Sequence, residues 1–268
     1  MKLGYAALIF IWAAAWTSPV MSPAGAEPGT WSEWESYLQA AEARATSDAA
    51  GHFLWVDQAP GRCERVRNGE VIASMVDRRQ LSPHGLIHDW VATTFIPDVR
   101  LADVLAVVRN YDRYSHYYGP TIHDSKLVSD NGDTLRFWVR YKKSALWVTV
   151  VLDVDYDVRY RQLSSRQTYA VTRSACVQEI AGPGHPDEHK LPCGDPRAYI
   201  WSATGISKYE ERDQGVYVEE ERIILSREIP AAFRFLIEPV VNRMSRELVL
   251  MSLRRTRDAV SVAVSRTP

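Results

Sequence analysis

From about Trp90 to Val260 the chain follows one long pattern. A short apolar strand, Trp90–Ile96, leads into an amphipathic helix, Leu101–Tyr111. About six strand-like runs joined by turns come next, and a long amphipathic helix, Ala231–Ala259, closes the series. A strand with one apolar face must bury that face, and a striped helix must bury its stripe. The order predicts an α+β fold in which a curved antiparallel sheet wraps around the closing helix. Such wrapping tends to leave a cavity between helix and sheet. A ligand-binding protein is therefore the first reading, and an enzyme acting in that cavity the second.

The periodicities behind this are specific. Between Leu146 and Arg159, Val148, Val150, Leu152, Val154, Tyr156 and Val158 alternate with Thr149, Asp153, Asp155 and Asp157, a strand with one buried and one wet side. Asp130-Asn131-Gly132 supplies a hairpin turn. In the first helix Leu101, Val104, Leu105 and Val108 form the apolar face. In the last, the stripe is Phe233, Leu236, Ile237, Val240, Val241, Met244, Leu248 and Met251, and Pro239 predicts a kink or a split. A gap beside that kink, near Leu236–Val240, would be the mouth of the pocket. Upstream, Thr30–Ala45 reads as a helix with Thr30 and Glu33 as a capping box. His52–Asp57 and Glu70–Asp77 read as short strands about a turn at Asn68-Gly69.

The start of the chain reads as an address. Lys2 is the only charge in the first 26 residues, Tyr5–Trp16 is apolar, and Ala24-Gly25-Ala26 is a small-x-small cleavage site. These features predict a secretory signal peptide over 1–26 and an exported protein, periplasmic or extracellular. Removing 26 residues from 268 leaves 242, with 31 basic and 33 acidic side chains. No later run reaches the roughly 18–20 apolar residues of a membrane span, so no transmembrane segment is expected once the signal is removed. The even charge and the lack of a basic stripe argue against nucleic acid as a partner. An oxidising compartment permits a disulfide, and Cys176 and Cys193 flank one Gly/Pro-rich loop, so they are the candidate pair. Cys63 would then be a free thiol.

Catalytic motifs are weak. His185-Pro186-Asp187-Glu188-His189 has the H-x-x-E-H spacing of a metallopeptidase, but that chemistry needs a helix, and Pro183, Pro186 and Pro192 oppose one. His84 and His88 fall on one face of a strand and read as satisfied polar residues. There is no Gly-x-Ser-x-Gly, phosphate loop or Cys-x-x-Cys. No metal and no cofactor are expected. Charges inside apolar alternation are more informative. Glu219 and Glu221 interrupt Tyr217, Ile223 and Leu225, and Arg136, Arg140 and Lys142 share a face with Trp138. Facing a cavity, they would hold the polar head of an amphipathic ligand; facing solvent, they would form a ladder of cross-strand ion pairs.

Certain stretches, in their order, carry a resemblance. They are Gly85-Leu86-Ile87-His88-Asp89-Trp90 with Phe95-Ile96-Pro97, then Tyr111-Asp112-Arg113-Tyr114, Gly215-Val216-Tyr217-Val218-Glu219, and Leu225-Ser226-Arg227-Glu228-Ile229-Pro230. Over roughly Leu86–Val260 the chain resembles the START-like superfamily, also called SRPBCC or helix-grip proteins, and within it a group of exported bacterial proteins. The resemblance implies a hydrophobic cavity between sheet and C-terminal helix. It implies an apolar or amphipathic, lipid-like small molecule as partner, with a cyclase or dehydratase as the alternative, Glu219 serving as base. A filled core without ligand is the third reading. The cavity candidates are Trp90, Tyr114, Trp138, Arg140, Trp201, Glu219, Phe233, Leu236, Ile237 and Val240. The expected division is 1–26 signal, 27–83 an N-terminal layer of helix and short strands, 84–262 the START-like domain and 263–268 a tail.

Overall fold

The computed structural model describes residues 28–46, 52–81, 84–145, 148–228 and 231–265. The expected signal peptide, like Ile229-Pro230 and Trp147, lies outside the described residues. The side chains of Phe233, Leu236, Ile237 and Val240 lie outside them too.

The N-terminal layer holds α1 (Pro28–Thr46) and α2 (Arg62–Arg67). Helix α1 starts two residues before Thr30, with proline in its first turn where a missing N–H costs nothing. His52–Asp57 is not a strand: a 3-10 turn occupies Trp55–Gln58, and α2 follows. Asn68-Gly69 ends α2 instead of turning a hairpin. Gly69 takes φ +91° and the Asn68, Gly69 and Glu70 amides bond back into the helix. An Asn-Gly pair serves a helix C-terminus as well as a tight turn, because both need a left-handed backbone.

Strands β1 (Ile72–Leu81), β2 (Gly85–Pro97), β3 (Ile122–Asp130), β4 (Thr134–Ala145), β5 (Val148–Gln162), β6 (Gln167–Ala181), β7 (His189–Lys190), β8 (Ile200–Arg212) and β9 (Gly215–Arg227) form one antiparallel sheet. Its order is β1-β2-β9-β8-β6-β5-β4-β3, with β7 paired to β6 beside that path. Between β2 and β3 run α3 (Leu101–Val108), a 3-10 turn (Tyr111–Arg113) and α4 (Tyr114–Tyr118). Helix α5 (Ala231–Ser265) is a single element, and Pro239 does not divide it.

Each face of the sheet is covered by a different helix. On the concave face Ala92, Ile96, Phe137, Tyr156, Tyr160 and Val218 pack with Val249, Leu253 and Val260 of α5 and with α3. On the convex face Ile87, Ile206, Ile223 and Leu225 pack under Trp31, Trp34, Tyr37 and Leu38 of α1. Strand β2 is buried from Gly85 to Ile96 because it lies between both covers. This is the expected helix-grip architecture, with the final helix on the concave side. The disulfide joins Cys176 to Cys193, Cα atoms 5.4 Å apart, and Cys63 is free.

The β8–β9 hairpin turns on Asp213 and Gln214, at φ 54° and 60°, between paired Arg212 and Gly215. Both are left-handed positions held by residues that carry a Cβ, and this two-residue turn favours glycine there. Gln214→Gly is therefore expected to stabilise the protein by about 0.5 kcal/mol, because relief of roughly 1–2 kcal/mol of left-handed strain outweighs the roughly 0.5–1 kcal/mol of extra unfolded-chain freedom that glycine brings, and a chemical denaturation midpoint would register the gain. A lower midpoint would mean the glutamine side chain contributes more than its strain.

Candidate functional site

Strands β6 and β8 run through the middle of the sheet, and their concave faces carry small side chains. On β6 these are Ala170, Thr172 and Ser174; on β8 they are Ala203, Gly205 and Ser207, with Ala170 paired to Ser207, Thr172 to Gly205, and the Ala203 amide donating to Ser174 Oγ at 3.0 Å. Larger groups rise on both sides. Trp90 and the pair Glu220–Arg222 stand on β2 and β9, and Tyr156, Tyr160 and Phe137 on β5 and β4. Small residues between tall walls form a trough. A Cβ at Gly205 would meet only Thr172 Cβ at 3.9 Å and the Glu221 carbonyl at 4.0 Å, ordinary contact distances.

Arg222 stands at the wall of this trough. Its Nε and Nη2 donate to Glu220 Oε1 at 2.8 and 2.6 Å, and Nη2 also reaches Ser252 Oγ of α5 at 3.2 Å. The side chain keeps 32 % of its surface accessible although it sits deep within the protein. That accessible surface lies where the sheet faces α5, beside Ser252. Burial opposes the guanidinium charge, and Glu220, with Tyr141 and Tyr156, more than restores it. The pair is thus a neutral, strongly dipolar feature in an apolar surround. Thr256 of α5 and Tyr118 of α4 bond at 3.0 Å nearby, and the Tyr141 and Tyr156 hydroxyls lie 3.4 Å apart. Burial pushes the Tyr114, Tyr118, Tyr156 and Tyr209 phenols well up. They are neutral hydrogen-bonding groups at any ordinary pH. With Glu220 engaged by Arg222, none of these groups is poised as a free base.

The predicted site residues divide between the two faces. Trp90 and Tyr114 belong to the concave core. Glu219 does not. It lies buried on the convex face, accepting from the Trp55 amide at 2.7 Å and Thr93 Oγ1 at 3.2 Å, with Lys208 Nζ at 3.6 Å. That placement removes it as a base in the cavity. Trp201 packs under α1. Arg140 faces outward and grips Asp153 with two bonds of 2.7 Å, its guanidinium 5.6 Å from the Trp138 ring. So Trp138, Arg140, Trp201 and Glu219 are corrected to the convex side. Glu220 and Arg222, next to the residues picked out in sequence, hold the interior position. His185 to Glu188 forms an exposed loop that runs into β7 at His189, and among the described residues no three metal-ligating side chains cluster. His84 sits in a turn beside Glu228, and His88 Nε2 lies 3.2 Å from Ser226 Oγ. Two surface grooves lie outside the trough. One of about 610 Å³ runs between α1 and β1, and one of about 560 Å³ borders Cys63.

No family model and no curated protein matches the chain. Solved structures do. A fragment of the STAR-related lipid transfer protein from Xanthomonas axonopodis is 15 % identical, with 69 % of this chain and 98 % of that one aligned at a TM-score of 0.45. Human STARD10 is 10 % identical over 70 % and 73 %, also at 0.45. The Zhui aromatase/cyclase from Streptomyces is 9 % identical over 66 % and 96 %, again at 0.45. The chain's own architecture, a curved antiparallel sheet gripping a C-terminal helix, is the helix-grip fold expected from its sequence.

Proposed function

We propose that this chain is an exported binding protein that holds an apolar or amphipathic small molecule in the concave trough. The body of the ligand lies over the small residues of β6 and β8, and its polar end meets Arg222. The observation that carries this reading is the accessible, ion-paired Arg222 deep in an aromatic interior. Ligand sites are mainly apolar, with a few placed polar groups that fix orientation. The Cys176–Cys193 bond agrees with export to an oxidising compartment.

The test uses two fluorescent acyl probes, one with an uncharged polar head and one without. Arg222→Met is expected to weaken the head-bearing probe about tenfold, the loss of roughly one charged hydrogen bond of 1.5 kcal/mol, and to leave its headless analogue within about twofold. Gly205→Leu, which the backbone accommodates, should fill the trough and abolish uptake of both. Full binding by a folded Gly205→Leu protein would place the ligand elsewhere and reject the proposal.

A further inference from the structure

The mechanism of binding uses the concave face only. The convex face holds polar groups that it does not use, buried where the N-terminal layer meets the sheet. Asp89 on β2 is wholly buried. Its Oδ2 accepts from the Tyr37 hydroxyl of α1 at 2.7 Å, and no donor of the described residues reaches its Oδ1. Glu221 of β9 lies beside it, close enough to share a proton. The cation that reaches both is Arg44 of α1, at 3.7 Å from Asp89 and 3.2 Å from Glu221, and its side chain is half exposed. Farther along the same face Glu219 is buried beneath the segment at Trp55, with Lys208 as its cation. Lys208 also donates to the Phe53 carbonyl at 2.9 Å. The layer therefore rests on carboxyl groups at two points, one under α1 and one under residues 53–55.

We propose that these two carboxyl groups form a proton-dependent seat, so that the N-terminal layer is clamped to the sheet in mild acid and loosens as the pH rises. A buried carboxyl with an unpaired oxygen is tolerable while it carries a proton. Ionised beside Glu221, it puts two negative charges under α1 against one half-exposed guanidinium. Burial first, and Glu221 second, raise Asp89 to about 8. Burial raises Glu219 to about 7 against the pull of Lys208. Both lie above the ordinary carboxyl range, so the clamped state binds more protons than the open one. The hold is complete below about pH 4 and is lost progressively as the pH climbs to about 8. Each carboxyl that becomes exposed on opening raises the opening constant by up to about tenfold per pH unit in that window.

Other charged groups face this seat. On α1, Glu35 and Glu42 pair with Arg173 of β6 at 3.1 and 2.5 Å. On β1, Asp77 pairs with Arg79 at 2.9 Å. These groups are more exposed than Asp89, with Glu35 and Glu42 sharing one guanidinium. Opening would uncover Ile87, Ile206, Ile223, Leu225 and Trp201, an apolar surface that α1 now covers.

Hydrogen exchange on the full chain, expressed as protection factors from pH 6 to pH 9, tests this. Protection over 28–46 should fall at least tenfold across that range while protection over 249–260 of α5 holds. In Asp89→Asn/Glu219→Gln the fall should disappear, with α1 still protected at pH 9. The proposal is overturned if α1 protection in the wild type is independent of pH, or falls only in step with 249–260. It is equally overturned if the dependence survives in the double variant. Should that variant fail to fold, the carbon-13 titrations of Asp89 and Glu219 in the wild type decide the matter. Both midpoints in the ordinary carboxyl range would reject the seat, and both well above it would support it.

Discussion

Trp34→Ala is expected to cost about 4 kcal/mol, since removing a fully packed tryptophan typically costs about 3–5 kcal/mol. The indole is 1 % exposed and shares one cluster with Leu38 and Tyr37 of α1 and with Ile87, Ile223 and Leu225 of the sheet. These contacts are the main apolar join between the N-terminal layer and the grip. Urea denaturation followed by circular dichroism would measure the loss. Where it falls matters as much as its size. If layer and sheet unfold together, the whole transition shifts to lower urea with its slope unchanged. If α1 melts first, the transition splits and the slope of the main one drops. A change under 1 kcal/mol with no split would show that the layer adds little to stability.

Loss of the Cys176–Cys193 bond should destabilise the protein by about 3 kcal/mol, because the bond closes a 17-residue separation and loops near that length are worth about that much in chain entropy. For a chain of this size that is roughly 6–12 °C in melting temperature. The closed loop also brings Leu191 into the cluster beneath α1 and Lys190 to within 2.6 Å of buried Asp153. The double serine variant, compared with the oxidised wild type, gives the number. Melting temperatures within 2 °C of each other would show that the loop holds its place without the bond.

Most strands were legible because period-two alternation, or in β2 a continuous apolar run, marks them and turn residues separate them. The N-terminal layer was less so. Pro60-Gly61 and Asn68-Gly69 punctuate the chain clearly, yet the same dipeptides suit a helix end and a hairpin. The site was half legible. Alternation says which residues share a face of β9 but not which face looks inward. Strand β9 carries charge on both, Glu219 and Glu221 on one side and Glu220 and Arg222 on the other. Apolar covers lie over both faces, so burial alone could not break the tie. The same ambiguity misplaced Trp138 and Arg140, correctly grouped on one face of β4 but assigned to the wrong one. At Trp201 a register shift between Ile200 and Ser202 disturbs the alternation as well. A usable signal was present in Ala170-x-Thr172-x-Ser174 and Ala203-x-Gly205-x-Ser207. Two neighbouring strands with a run of small residues on the same face mark a hollow more directly than a charged residue does.

The pairing of β2 with β9 sets the order in which this molecule can assemble. Thirteen residue pairs join them, from Gly85 with Arg227 to Pro97 with Gly215, so partners are more than a hundred positions apart in the chain. Pairings that distant close late, because the entropy of a long loop is lost before any contact returns it. The hairpin of β1 and β2 can form early, but β2 then waits with one backbone edge open and both faces uncovered until the last strand arrives. It is a stretch of twelve buried residues, Gly85 to Ile96, held in a sticky, half-paired state for most of the folding time. The rate of productive folding, and the share of chains lost to aggregation on the way, should therefore follow how quickly β9 reaches β2 rather than how stable the finished protein is.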